Sequence, residues 1–116
     1  WILGHINLSR GSVLKLLDID CNKTNDEEKF KRGVEKNYNI KININTVRTE
    51  FEKRGKFIIN AVNTIDEEIL NREIKYKLPN SGNTIRDAIA FTSWHETFHI
   101  GQIDLILAAN GKGGIK

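Results

Sequence analysis

The sequence predicts an all-α fold, a bundle of helices built as a single domain of 116 residues. Two observations lead to this prediction. Three segments place apolar residues three or four positions apart, which is the period of a helix with one buried face. Polar connections join these segments, and almost no stretch alternates as a half-buried strand does, so a helical bundle is favoured. A chain of this length can bury one hydrophobic core.

The first predicted helix covers residues 1–20. His5 and Ser9 lie on its apolar stripe, which consists of Ile2, Ile6, Val13, Leu16 and Leu17. The segment begins on Trp1 without a capping residue ahead of it, and the chain contains no methionine. We therefore expect that part of the protein precedes Trp1.

Residues 21–45 are polar, rich in Asn and Lys, and without a sustained period, so we interpret them as a long connection. Within it we predict a short helix around residues 26–36. We also predict a short extended piece over residues 40–44, whose isoleucines alternate with polar residues and would pack against the body.

The second predicted helix covers residues 46–64, and its apolar stripe consists of Val47, Phe51, Ile58, Val62 and Ile65. The charged residues of the segment, which we place mostly away from this stripe, are Glu50, Glu52, Lys53, Arg54 and Lys56. Thr64 is predicted to cap a short turn that ends near Leu70. An extended connection follows, in which Ile74, Tyr76 and Leu78 alternate with charged residues before Pro79.

The third predicted helix follows a turn at residues 79–83 and continues to about Asn110. Asn83 or Thr84 can cap it, Asp87 is favourably placed in its first turn, and Gly111 can close it. One face of this helix carries Ile85, Ala88, Ile89, Thr92, His95, His99, Gln102, Ile103 and Ile106.

The charge distribution argues against nucleic-acid binding. The net charge is +3, from 18 basic and 15 acidic residues spread along the chain. Nucleic-acid-binding proteins concentrate Lys and Arg on one face, and no such concentration is present. No apolar run is long enough to predict a membrane-spanning helix.

Cys21 is the only cysteine, which excludes a disulfide scaffold and fits a reducing compartment. No stretch has the basic and apolar regions of a secretory signal, so we expect a cytoplasmic protein. No basic neighbour or helix N-terminus is evident that would activate the Cys21 thiol. We interpret it as a small, buried or half-buried residue rather than a nucleophile.

The three histidines all fall on core-facing stripes. His95 and His99 are four positions apart on one helix, so their imidazoles project the same way, and His5 lies on the stripe of the first helix. Three converging imidazoles are costly to bury and repel one another when protonated, whereas a divalent cation binds them in their neutral form. We predict a metal site; the alternative for each histidine is a hydrogen-bonded core residue.

Residues 95–99 (HETFH) also match the H-E-x-x-H motif of zinc peptidases, in which the glutamate is the general base. That motif needs a third ligand, and beyond His99 the only further carboxylate or imidazole is Asp104. The extended form of the motif requires a histidine where Leu105 stands. No edge strand is predicted to hold a peptide. A peptidase is therefore only a remote alternative.

Four segments together resemble the DinB/YfiT-like superfamily. Residues 1–6 (WILGHI) resemble its W-x-L-G-H-I signature, and residues 94–103 (WHETFHIGQI) contain its H-E-x-x-H-x-G-Q-I signature. Residues 84–88 (TIRDA) and 64–70 (TIDEEIL) resemble the capped start of its last helix and the turn after its third. The resemblance implies a four-helix bundle in which three histidines hold a divalent metal, commonly nickel or zinc, with iron as a further candidate.

Carried over position by position, the implied metal ligands are His5, His95 and His99. Family members have a helix before the W-x-L-G-H-I segment, so we expect a first helix ahead of Trp1 that packs beside His5. Three protein ligands leave coordination positions open, as in catalytic sites, and the metal could then activate water or a thiolate.

The resemblance implies a thiol-dependent S-transferase, or a related metal-dependent hydrolase or isomerase. Its partners would be a small-molecule thiol and an electrophile, without nucleic acid or membrane, and a homodimer is expected. We expect the long 21–45 connection to help form the substrate pocket. The alternative is a non-enzymatic metal-binding stress or interaction protein.

Further side chains are candidates for the surroundings of the metal. Ser9 and Gln102 each lie about one turn beyond a histidine and could orient a ligand or water, or could simply be hydrogen-bonded near the site. Glu96 could reach a metal-bound water, but we favour a solvated position on the flank. Trp1 and Trp94 precede the histidine motifs, and we predict that both pack in the core.

Overall fold

The computed structural model describes residues 1–21, 23–24, 26–34, 41–79 and 82–113. Across these ranges the chain forms four α-helices: α1 (Ile2–Leu16), α2 (Ile44–Thr64), α3 (Glu67–Leu70) and α4 (Ile85–Ala109). A 3₁₀ helix covers Glu27–Phe30. No strand occurs in the described residues, where one isolated antiparallel bridge pairs Glu73 with Thr84. The predicted all-α class is confirmed.

Helix α1 is the centre of the bundle, because it packs against α2, α4 and the 3₁₀ helix. Its buried apolar residues include Ile6, Val13 and Leu14. The helix ends four residues earlier than predicted. Asp18 adopts a left-handed conformation (φ 56°), and the Ile19 N–H bonds back to the Leu14 carbonyl at 2.9 Å.

Helix α2 begins two residues earlier than predicted, because the side chain of Asn43 caps it by accepting from the N–H groups of Asn45 and Thr46. The prediction of an extended piece over residues 40–44 that packs against the body is therefore wrong at Ile44. This residue begins the helix and is 60% exposed. Residue 40, where that piece was predicted to begin, lies outside the described residues.

The buried face of α2 also differs from the prediction. Val47 is buried as expected, but Val62 is exposed, whereas Arg54, placed off the stripe, is 1% exposed. Arg54 can be buried because it forms a salt bridge with Glu27 and donates to the Asn7 carbonyl at 2.9 Å. A buried ion pair thus joins α2, α1 and the 3₁₀ helix.

Two of the predicted local structures are shorter or begin elsewhere. The short helix around 26–36 is reduced to the 3₁₀ turn over Glu27–Phe30, because Lys31 is extended; residues 35 and 36 lie outside the described residues. Asp66, not Thr64, precedes α3, and the Thr64 hydroxyl donates back to the Asn60 carbonyl at 3.1 Å.

The connection between α3 and α4 closes one end of the core. Ile74 and Leu78 are buried with Ile85 and Ala88, while Tyr76 is exposed. Four partly buried side chains pack on this cluster: Leu16 and Leu17 at the end of α1, and Ile89 and Phe91 on α4. Within the described part of the chain, no helix has the length and apolar character needed to cross a membrane.

Helix α4 follows the prediction most closely. Thr84 caps it, accepting from the Asp87 N–H, while the Asp87 carboxylate accepts from the Thr84 N–H at 3.0 Å. Gly111 follows its end with φ 68°, the left-handed geometry expected there. This well-defined helix carries two of the three histidines.

Candidate metal centre

The contact between α1 and α4 brings the three histidines together. One nitrogen of each of His5, His95 and His99 lies within 4.8 Å of the others, a grouping that could hold a metal ion. The Nε2 atoms of His95 and His99 are 3.0 Å apart. His99 is buried, and the other two are half-buried, so the cluster opens toward solvent on the side of His5 and His95.

Two of the imidazoles are oriented by hydrogen bonds at the ring nitrogen that faces away from the cluster. The Nδ1 of His5 lies 2.8 Å from the Phe30 carbonyl oxygen, and the Nδ1 of His99 lies 2.6 Å from the Gln102 Oε1. Both oxygens are acceptors, so each Nδ1 carries the proton and donates it. The Nε2 of each ring then carries the lone pair, which is the form that ligates a metal, and the Nε2 of His99 faces that of His95.

Ser9 lies between the two helices at this level. Its hydroxyl donates to the His5 carbonyl at 3.3 Å and is 3.5 Å from the Nδ1 of His95. The second distance is long for a hydrogen bond, so His95 is held less tightly than the other two rings. Gln102 is therefore the stronger of the two orienting residues predicted from the sequence.

The environment favours the neutral form of His5 and of His95. Partial burial lowers the pKa of His5, aided by the charges of His99 and Arg32 and opposed by the bond to Phe30. Partial burial also lowers the pKa of His95, together with the neighbouring His99 and His5, while Glu96 acts in the opposite direction. Neutral rings bind a divalent cation without first losing a proton.

The donor set and its spacing fit a divalent transition metal. In a tetrahedral site, two imidazole nitrogens bound to one zinc ion at about 2.0–2.1 Å are about 3.3–3.4 Å apart. The 3.0 Å between the Nε2 atoms of His95 and His99 is within a few tenths of an ångström of this separation. Imidazole ligands suit zinc, nickel, copper and iron alike, so the residues define a site without selecting the metal.

Glu96 is not solvated, and the sequence-based interpretation is wrong on this point. Its carboxylate accepts two hydrogen bonds from Arg10, at 2.7 and 2.8 Å, and the pair is half-buried between α1 and α4. The physical reason is the bidentate match between guanidinium and carboxylate, which offsets the loss of hydration. A glutamate held in this way is poorly placed to be the base of an H-E-x-x-H peptidase.

The two tryptophans are not core residues, contrary to prediction. Trp94 is 61% exposed and Trp1 is 39% exposed. Trp94 immediately precedes His95. Its side chain therefore points about 100° around the axis of α4 from that of His95, away from the face that α1 covers. Its ring stacks on Phe98 at 6.1 Å, and Trp1 stacks on His5 at 4.5 Å between centroids. Trp1 therefore borders the cluster beside His5.

Cys21 is a free, half-buried cysteine, as expected. Its Sγ lies 3.7 Å from the Gly11 carbonyl, and it lines a cleft of about 600 Å³ between α1 and the segment that follows it. None of the three histidines lines this cleft. The structure thus keeps Cys21 away from the imidazole cluster.

Sequence reasoning did not identify Phe30 or Arg10 as part of the site. Phe30 contributes a backbone carbonyl, which every residue possesses, so no side-chain pattern marks it. Arg10 lies five positions after His5, but its partner Glu96 is on another helix, and no local spacing connects them. The glutamate of the H-E-x-x-H string was the only available signal.

Comparison with known proteins gives a match to a family model. The family model described as the DinB superfamily matches residues 1–103, a range that contains all three histidines and both motif segments. A search of curated proteins and a search of solved structures returned no match.

Proposed function

The chain belongs to the DinB superfamily, and on this premise we propose that it is a metal-dependent enzyme that transfers a low-molecular-weight thiol to a small electrophile. A related metal-dependent hydrolase or isomerase is the alternative reaction at the same site. The metal would be held by His5, His95 and His99, with nickel or zinc preferred and iron as a further candidate. The observation that carries the proposal is the approach of the three imidazole nitrogens to within 4.8 Å across two helices.

The arrangement of the residues supports a catalytic rather than a closed structural site. Structural zinc sites use four protein ligands, whereas three histidines leave coordination positions for an external molecule. His5 and His95 are half-exposed, so that molecule can approach from solvent, while buried His99 forms the floor. When bound, a divalent metal supplies positive charge that stabilises a thiolate at neutral pH.

The surrounding residues supply orientation and contact. Gln102 and the Phe30 carbonyl orient His99 and His5, so the site is preorganised before a ligand arrives. The 3₁₀ turn that contributes Phe30 belongs to the long 21–45 connection, which supports the prediction that this connection helps form the pocket. Trp1 offers a half-covered ring beside His5 for the apolar part of a substrate.

Metal content and turnover test the proposal in two steps. Elemental analysis of the purified protein should find about one divalent metal per chain, and His95→Ala and His99→Ala should each lose it. The metal-loaded protein should then conjugate a panel of small thiols to a chromogenic electrophile such as chlorodinitrobenzene, and removal of the metal with a chelator should abolish the reaction.

The outcomes separate the alternatives. Metal bound at one per chain, with no turnover for any thiol, would favour the non-enzymatic metal-binding protein. Metal retained in both His95→Ala and His99→Ala would show that the ligand assignment is wrong. The homodimer and the cytoplasmic location stay predictions, and light scattering of the purified protein tests the first of them.

A further inference from the structure

Arg10 connects all three long helices at the level of the imidazole cluster. From α1 its guanidinium forms the bidentate pair with Glu96 on α4, with N···O distances of 2.7 and 2.8 Å. Its Nη1 donates to the Phe51 carbonyl of α2 at 2.7 Å, and its Cζ lies 3.7 Å from the centroid of the Phe51 ring. Arg10 therefore contacts α1, α2 and α4 through directional interactions.

The same pair is adjacent in sequence to the metal-ligand candidates. Glu96 directly follows His95, and Arg10 follows Ser9, whose hydroxyl lies between the His5 carbonyl and the His95 ring. The Arg10–Glu96 contact is a salt bridge that joins the two helices directly. A bidentate guanidinium–carboxylate contact restricts both distance and orientation, unlike the point charge of a lysine.

Gly55 on α2 leaves the space that this arrangement needs. A Cβ atom at position 55 would lie 2.7 Å from the Nη1 of Arg10. That nitrogen is held by the Phe51 carbonyl and cannot retreat without breaking the bond. A glycine in mid-helix costs about 0.5–1 kcal/mol relative to alanine, so its position under Arg10 indicates that the guanidinium needs the room.

We infer that Arg10 and Glu96 are a positioning pair for the metal centre. The pair sets the separation between His5 on α1 and His95 and His99 on α4, and Glu96 acts through Arg10 rather than as a proton-transferring base. This inference rests on the proposed metal site. It assigns the glutamate of the H-E-x-x-H string a role that the string does not predict.

Three variants test the inference without truncating a side chain. Arg10→Lys keeps the charge but loses the bidentate contact, and Glu96→Gln keeps the shape but loses the charge. Gly55→Ala substitutes neither residue of the pair, but its added methyl group displaces the guanidinium. The exposed pair Arg48–Glu52 on α2, with N···O 3.1 Å, provides matched controls. The controls Arg48→Lys and Glu52→Gln make the same chemical changes at an exposed pair that lies within a single helix.

The readouts are Zn²⁺ affinity, by competition with a chromophoric chelator, and the absorption spectrum of the Co²⁺-loaded protein. We expect each of the three variants to weaken Zn²⁺ binding by about tenfold or more and to change the cobalt spectrum. The control variants should stay within about twofold of the wild type. A purely structural contact would lower stability and leave both readouts unchanged.

Two results would overturn the inference, and they differ. Wild-type affinity and an unchanged cobalt spectrum in all three variants would refute the positioning role alone. A wild-type protein that binds neither Zn²⁺ nor Co²⁺ would refute the proposed function, and the positioning role with it. Circular dichroism monitors folding, and isosteric Glu96→Gln decides the question if Arg10→Lys unfolds.

Discussion

The Nδ1 of His5 donates a hydrogen bond to the carbonyl oxygen of Phe30, at 2.8 Å, across 25 residues of sequence. The contact is possible because the Phe30 ring packs directly over Gly4, where a side chain would overlap it. Phe30 is buried, so its ring has little freedom to move aside. The small residue before His5 therefore sets the position of the backbone group that orients the imidazole.

Gly4→Ala is expected to weaken metal binding. The added methyl group would push the Phe30 ring outward, and the carbonyl that holds His5 would move with it. We expect about a tenfold loss of Zn²⁺ affinity, the lower end of the range for lost partners of metal-ligating histidines. Overpacking should also lower the free energy of unfolding by about 1–3 kcal/mol. Chelator competition and urea unfolding measure the two effects.

Gly101→Ala is the control for this substitution. Gly101 lies in α4 and has open space where a Cβ would be added. Alanine there should raise helix stability by about 0.5–1 kcal/mol and leave Zn²⁺ affinity as it is. Equal Zn²⁺ affinity in Gly4→Ala and Gly101→Ala would contradict the role assigned to Phe30.

Gln102→Leu should weaken metal binding more than Ser9→Ala does. Gln102 accepts from the Nδ1 of His99 at 2.6 Å. Without this acceptor, neither the tautomer nor the orientation of the buried His99 ring is fixed. Ser9 is 3.5 Å from the His95 ring, and its removal should change affinity only slightly. We expect about a tenfold to hundredfold loss for the first variant. Titration with Zn²⁺ compares them, and the reverse order would refute this ranking.

Breaking the buried pair of Arg54 and Glu27 should strongly destabilise the fold. Arg54→Met leaves the buried Glu27 carboxylate without its cation, at a cost of about 3–5 kcal/mol. The double variant with Glu27→Leu should be less destabilised than Arg54→Met, because no unpaired charge remains. Urea unfolding of both proteins tests this. As a control, Arg48→Gln in the exposed Arg48–Glu52 pair should leave the free energy of unfolding within about 0.5 kcal/mol of that of the wild type.

The metal-free protein should lose stability as the pH falls below neutrality. Burial lowers the pKa values of His5 and His95 in the folded state below the ordinary value of 6.5. Between these lowered values and 6.5 the unfolded chain binds more protons, so the free energy of unfolding decreases as the pH decreases. The stability that the neutral histidines contribute is fully present above their pKa in the unfolded chain. It is lost as the pH falls to their lower pKa in the folded protein.

Urea unfolding of the chelator-treated protein between pH 5 and pH 7.5 measures this slope. His95→Gln should flatten it, since one of the titrating groups is removed. A slope of the opposite sign, with higher stability at pH 5 than at pH 7.5, would mean that the histidines gain rather than lose protons on folding.

The features that the sequence predicted well are local. The start of α4 follows from Thr84 and Asp87, which bond to each other's backbone within one turn, and its end follows from Gly111. The common direction of His95 and His99 follows from the helical period alone. The apolar stripe of α1 was enough to place His5 on the same side of the core.

The features that the sequence did not predict depend on contacts between elements. Arg54 was placed on a solvated face because arginine is seldom buried, and its burial depends on Glu27 in the 3₁₀ helix. Glu96 was placed in solvent for the same reason, and its partner is on α1. Trp94 was assigned to the core by its residue type, although α1 covers a different face of α4.

For this chain, residue types and their spacing were sufficient to predict the helical class, the capping of α4 and the choice of His5, His95 and His99. Each of these features depends either on interactions between residues a few positions apart in sequence or on the helical period of apolar residues. The partners of those histidines required the packing of α1 against α4 and the 3₁₀ turn, because the Phe30 carbonyl and the Arg10–Glu96 pair are brought together across 25 and 86 residues. Such contacts follow from how the helices pack, which no local pattern encodes.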